Sequence, residues 1–115
     1  MKSSSFIFAI QGIINGAKHE KSFKIMLICF GIIIIINSLL DISISGWIIT
    51  LICCGMVLSL ELMNSAIETT INLIIDNHNV SAKRAKDFAA GSVLFASIIA
   101  LIIALLVYLP YIKML

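Results

Sequence analysis

The eight residues Glu61-Leu62-Met63-Asn64-Ser65-Ala66-Ile67-Glu68 place two carboxylates and an amide directly after a run, 46–60, that carries no charge. An ionisable group at membrane depth costs about 2.5–3.5 kcal/mol, so a chain that keeps two of them side by side normally uses them. At about 100° per residue, Glu61, Asn64, Ser65, Glu68, Asn72 and Asp76 share an arc of roughly 120° on one helix face. A helix entering the bilayer near Gly46 carries Glu61 about 22 Å along its axis and Glu68 about 33 Å. Against a hydrocarbon core about 30 Å thick, the first acid stays just inside the apolar layer and the second emerges among the headgroups. Such a pair can take a proton from a hydroxyl held at the lipid boundary while meeting something that arrives from water.

Charge of the opposite sign follows in Lys83, Arg84 and Lys86, ahead of Asp87. Lys86 near the membrane surface is suited to hold a phosphate that Asp87 helps to orient. Glu20, flanked by Lys18, His19 and Lys21, lies before the first apolar stretch at the same level as Glu68. Two such carboxylates suit Mg²⁺, which is commonly held by one or two carboxylates together with substrate phosphates. Positioning and charge neutralisation are most of what phosphoryl transfer requires.

The elements that position these groups are membrane helices. Of the 115 residues, 61% are hydrophobic, and the mean hydropathy is +1.14. A soluble domain of this length cannot hide that much apolar surface, so the expected class is an all-α membrane protein of one domain, residues 1–115. Segments 25–40, 42–60 and 88–112 contain no Asp, Glu, Lys or Arg apart from their flanks. They predict three spans over about 23–40, 46–75 and 84–110, joined first by a tight connection at 41–45 with Trp47 at the interface. Ser81 is a candidate N-cap for the third, and Pro110 is expected to close it. Before the spans, Phe6, Ile10, Ile13, Ile14 and Ala17 follow helical spacing, which predicts an interfacial amphipathic helix over about 5–18.

Seven of the eight basic residues, Lys2, Lys18, Lys21, Lys24, Lys83, Arg84 and Lys86, fall on one side, and only Lys113 falls on the other. The positive-inside bias places the N-terminus and the 76–83 connection in the cytoplasm and the C-terminus outside. Other features read as packing. Cys29, Cys53 and Cys54 have no metal-ligand spacing. Gly12-xxx-Gly16 and the stripe Ser92, Ala96, Ala100, Ala104 are close-packing surfaces. A net charge of +2 gives no footprint for nucleic acid.

Taken together, Glu61-x-x-Asn64-Ser65-Ala66-Ile67-Glu68, Ala85-Lys86-Asp87 with Ala89-Ala90-Gly91, and Glu20 ahead of the first span resemble the prokaryotic integral-membrane diacylglycerol kinase family, which includes undecaprenol kinases. The resemblance runs over about residues 8–110. It implies a homotrimer with shared active sites that transfers the γ-phosphoryl group of ATP to a lipid hydroxyl at the cytoplasmic face. It also implies that Glu61 is the catalytic base with Asn64 as its polar support. Glu20 and Glu68 would hold Mg²⁺ on the ATP phosphates. Lys86, Asp87 and the turn Asn77-His78-Asn79 would bind nucleotide. No nucleotide-binding motif of the Walker or protein-kinase type is present, so ATP enters through the resemblance alone. The run Ala85-Lys86-Asp87-Phe88-Ala89-Ala90-Gly91 and the ending Tyr108-Leu109-Pro110 resemble the undecaprenol kinase branch more than the diacylglycerol branch. The turn differs from the His-Pro common in the family by reading Asn79-Val80, and Met26 stands where Gram-positive relatives often have His.

Two other classes compete. A small proton-coupled transporter subunit would want its glutamate near mid-bilayer and usually four spans. A structural or holin-like oligomer would have no use for Glu20 or Lys86. The expected location is the bacterial cytoplasmic membrane.

Overall fold

The computed structural model describes residues 3–75 and 78–115; Lys2, Asp76 and Asn77, each given a part above, lie outside them. Four helices follow in order: α1 Ser3–His19, α2 Lys21–Leu39, α3 Ile44–Ile74 and α4 Val80–Lys113. The last three are long and apolar enough to cross a membrane. At 1.5 Å per residue α2 is about 28 Å long, one bilayer core, whereas α3 and α4 reach about 46 and 51 Å. The two long helices therefore overhang α2, and α3 carries the charged half of its sequence into that overhang.

One residue separates α1 from α2. Glu20 is extended (φ −101°, ψ 109°), while its N–H still donates to the Gly16 carbonyl and its own carbonyl accepts from Lys24 N–H, each at 3.0 Å. Its carboxylate is thereby fixed at the joint between the first helix and the first span. Gly16 makes that joint possible. A Cβ at this position would lie 2.7 Å from Leu62 Cδ2 and 3.2 Å from Phe23 Cδ2. Phe23 itself is only 2% exposed. Leu62 of α3 is thus held level with the start of α2, and Glu61 beside it sits where the bundle ends. Gly12, by contrast, has open space where a Cβ would be. Close approach in Gly12-xxx-Gly16 belongs to its second glycine alone.

At the far end, the α2–α3 connection turns through Asp41 at φ 50°. Ser43 Oγ accepts from Gly46 N–H to cap α3, and Ser43 N–H donates to the Tyr111 hydroxyl of α4 at 3.1 Å. Just inside lies a polar clamp between all three spans. The Tyr108 hydroxyl donates to Asn37 Oδ1 at 2.6 Å, and Asn37 Nδ2 donates to Thr50 Oγ1 at 2.9 Å. Thr50 Oγ1 in turn donates to the Gly46 carbonyl at 2.8 Å. Asn37 is fully buried, so every polar atom of its amide is met by a neighbour rather than by lipid. No pattern in the sequence assigned these residues to one another, although Asn37 in a run of isoleucines is the kind of polar residue that marks an interhelical contact.

Three local expectations are corrected. The N-cap of α4 is Asn79, whose Oδ1 accepts from Ala82 N–H at 2.9 Å, and Ser81 lies within the helix. An Asn two residues earlier has the reach to satisfy one of the first free N–H groups, so the helix starts there. Pro110 does not close α4, which continues to Lys113. A proline deletes one backbone hydrogen bond, and in the last turns the chain can continue past it. On α4 the buried positions are Ala82, Ala89, Val93 and Tyr108, with Ala96, Ala100 and Ala104 half-buried, while Ser92 is exposed. The seam against α3 therefore runs slightly to one side of the small-residue stripe.

Asn37→Ala is expected to lower the unfolding free energy in detergent by about 1–3 kcal/mol, because it strands the Tyr108 hydroxyl in the bundle. Tyr108→Phe, which strands the buried Asn37 Oδ1 in turn, should cost a similar amount, about 1–3 kcal/mol. Reversible unfolding in mixed micelles measures both.

Candidate active site

The buried face of α3 is continuous from one end of the helix to the other. Gly46, Thr50, Glu61 and Asn64 are its buried residues, and at about 100° per residue they and Glu68 fall within roughly 60° of one another. The same face first joins the spans and then, past Leu60, becomes polar. Glu61 is 6% exposed and Asn64 9%. Glu68 is exposed, and its Oε1 accepts from Asn64 Nδ2 at 3.3 Å. Glu61 lies within the electrostatic reach of both Glu68 and Glu20. The structure thus brings the three predicted acids into one neighbourhood, the first of them out of solvent and Glu68 in it. The Oδ1 of Asn64 is buried with no hydrogen-bond partner. A buried acceptor left open in this way is a group that a bound donor or a water would satisfy.

Opposite α3, the start of α4 supplies the cations. Lys86 is half-buried, and its Nζ donates to Asn72 Oδ1 on α3, so it reaches across the seam onto the polar face. Asp87 points away from that contact and pairs with Lys83 at 2.7 Å, an exposed i,i+4 pair. Pairs of this kind contribute a few tenths of a kcal/mol at most, so Asp87 is readily released. His78 and Asn79 are exposed at the turn ahead of α4, with Asn79 engaged as the helix cap. Asn77 lies outside the described residues. Asn72 was placed on the polar face by its spacing but given no part of its own; its pairing across helices is visible only once α4 is folded back.

A groove of about 740 Å³ runs between α1 and α3 on the side away from α4. Ala9, Gly12 and Gly16 form its α1 wall, Leu62, Ser65 and Ala66 its α3 wall, and Glu20 closes one end. Ser65 belongs both to this groove and to the polar arc, so it marks where the two meet. The groove is narrow at Gly16 and open at Gly12, and α1 leaves Phe6, Phe8, Ile10 and Ile13 exposed beside it. Asn15, His19, Thr69 and Thr70 also line it, so the groove joins the apolar surface of α1 to the polar level of α3.

Among the described residues no three His, Cys, Asp or Glu side chains gather as a metal-holding group. The donor set does fit Mg²⁺, which needs few protein carboxylates and keeps waters and phosphate oxygens in its remaining positions. Glu20 and Glu68 are the two carboxylates at this level that would hold it. Cys29, Cys53 and Cys54 are free thiols around an apolar cavity nearer mid-span, and they take no part in the polar site.

Comparison with known proteins gives a consistent picture. The family described as prokaryotic diacylglycerol kinase matches residues 7–108. An undecaprenol kinase of Bacillus subtilis is 42% identical over 106 residues, covering 92% of this chain and 86% of that protein. A diacylglycerol kinase of Synechocystis sp. is 34% identical over 108 residues, covering 92% of this chain and 61% of that protein.

A carboxylate kept out of water for function lowers stability. Glu61→Met is therefore expected to raise the unfolding free energy by about 1–3 kcal/mol in the same micelle assay. A clear loss of stability would instead make Glu61 a structural member of the α3 seam.

Proposed function

We propose, since this chain belongs to the prokaryotic diacylglycerol kinase family, that it transfers the γ-phosphoryl group of ATP to the hydroxyl of undecaprenol, giving undecaprenyl phosphate and ADP. The observation that carries the reading is the buried Glu61 placed two turns before the exposed Glu68 on one face of α3. A lipid alcohol reaches the first from the membrane, and a water-soluble triphosphate reaches the second. The undecaprenol branch is favoured by the higher identity to the Bacillus enzyme. Diacylglycerol is the second reading, kept by the likeness to the Synechocystis enzyme.

In this scheme the lipid tail lies in the α1–α3 groove and its hydroxyl reaches past Ser65 to Glu61. Glu61 accepts the hydroxyl proton as the alcohol oxygen bonds to the γ-phosphorus, and the bond to the β–γ bridging oxygen breaks with release of ADP. Asn64 supports the arrangement through its bond to Glu68. Lys86 neutralises charge on the phosphates from the α4 side, and Asp87, once released from Lys83, orients the nucleotide with His78, Asn79 and Asn77. Glu20 and Glu68 would hold Mg²⁺, which when bound would supply further neutralisation of the triphosphate.

A homotrimer fits the surface. The most apolar window of α4 is only 6% buried within one chain, leaving a large face for neighbours as well as lipid. With seven of eight basic residues at the α1 end, that end is assigned to the cytoplasm.

Purified protein in bilayers, given labelled ATP, Mg²⁺ and a panel of undecaprenol, diacylglycerol and a simple long-chain alcohol, should label undecaprenol fastest. Preferred labelling of diacylglycerol would select the second reading, and no labelling of any lipid would overturn the kinase assignment. Glu61→Gln should lower turnover by at least about a hundredfold, the scale of general-base loss, with ATP binding kept. An active Gln variant would remove Glu61 from the chemistry.

A further inference from the structure

The contact between Lys86 and Asn72 is the one side-chain bond that joins α3 to α4 within the polar overhang among the described residues, and the kinase reading above does not use it. We propose that Asn72 is a positioning residue: it holds the Lys86 ammonium over the acid face of α3, before and after nucleotide binds, with the other two N–H donors of that ammonium left for a phosphate. This inference rests on the kinase reading and deepens it.

A lysine carries a point charge on a flexible stem, and its position costs side-chain entropy to define. Lys86 has two possible directions, back along α4 or across to α3, and the bond to Asn72 Oδ1 selects the second. Asn72 stands one turn beyond Glu68 on the same arc, so the ammonium is held on the same helix face as the carboxylate proposed to face the triphosphate. The holder is neutral. An amide carbonyl fixes the ammonium without cancelling its charge, leaving it available to an incoming anion. Asp87, the acid next in sequence, is occupied by Lys83 and does not compete for Lys86. Two lysines one turn apart are thus treated differently: Lys83 is neutralised locally, and Lys86 is kept charged and aimed.

Both groups are near the surface, so the bond adds little to folding. Its removal should appear in nucleotide binding rather than in stability. Asn72→Ala is expected to raise the KM for ATP about tenfold, the scale of one hydrogen bond to a charged group, with kcat reduced by less than about threefold. Asn72→Gln, which keeps a neutral amide acceptor, should recover part of that loss, whereas Asn72→Asp, which pairs with Lys86 and cancels its charge, should not. In a Lys86→Met background, Asn72→Ala should add less than about twofold to the KM, because the residue then has nothing to position.

The kinetics are measured on the full-length protein in bilayers, with the micelle unfolding assay alongside. An unchanged KM in Asn72→Ala, or full additivity of the two substitutions, would overturn the proposal. So would a KM rise that tracks a loss of folded protein, or full activity in Asn72→Asp. Absence of lipid phosphorylation by the unsubstituted protein would instead strike the kinase reading, which separates the two failures.

Discussion

A single face of α3 sets the terms for the rest of the molecule. From Gly46 to Leu60 it must satisfy the bilayer, and it does so by pressing apolar residues and one threonine against its neighbours. From Glu61 onward the same face carries acids and amides. Because a helix cannot change which side it presents without a kink, the direction that holds the bundle together also decides where the site must open. α2 spans about one bilayer thickness from the α2–α3 turn, and α3 continues beyond it. Glu61 falls at that step. Its position at the end of the apolar bundle follows from helix length and rise, with no special backbone conformation.

The two ends of the bundle are held by different means. At the end with the α2–α3 turn, Asn37, Thr50 and Tyr108 link three spans through buried hydrogen bonds, and Ser43 with Tyr111 ties the turn to the last helix. At the other end the joint is steric, through Gly16 against Leu62 and Phe23. Polar pairing near the α2–α3 turn gives register, since an unpaired amide in hydrocarbon is costly. Close contact at the other end brings Glu20 to the level of α3's acids without occupying the site with structural bonds. Polar groups there stay available: Glu68 is exposed, Asn64 Oδ1 is unpartnered, and Lys86 rests on a neutral amide.

Much of this was legible before the chain was folded. Three spans, the preceding helix and the polar arc follow from runs of uncharged residues and from helical period, and the observed boundaries lie within a few residues of those expected. The acids could be placed along α3 because rise per residue is fixed. Interhelical pairing was not legible. Nothing in the sequence sets Asn37 opposite both Thr50 and Tyr108, or Asn72 opposite Lys86, since those meetings depend on how antiparallel helices slide past one another. Helix ends were only partly legible, because Asn79 and Ser81 are both capable caps and the choice rests on which side chain reaches a free N–H. The identity of the lipid lies in groove shape, which apolar composition does not encode in any readable period.

The central claim concerns the depth and sidedness of one helix, and single-cysteine labelling along 57–72 tests it most directly, in a background with Cys29, Cys53 and Cys54 replaced. With sealed right-side-out and inverted vesicles and a membrane-impermeant maleimide, a cysteine at 68 should react only from the cytoplasmic face, and one at 61 should be strongly shielded from either side. Reaction of both positions from the outer face, or equal exposure of 61 and 68, would contradict the account.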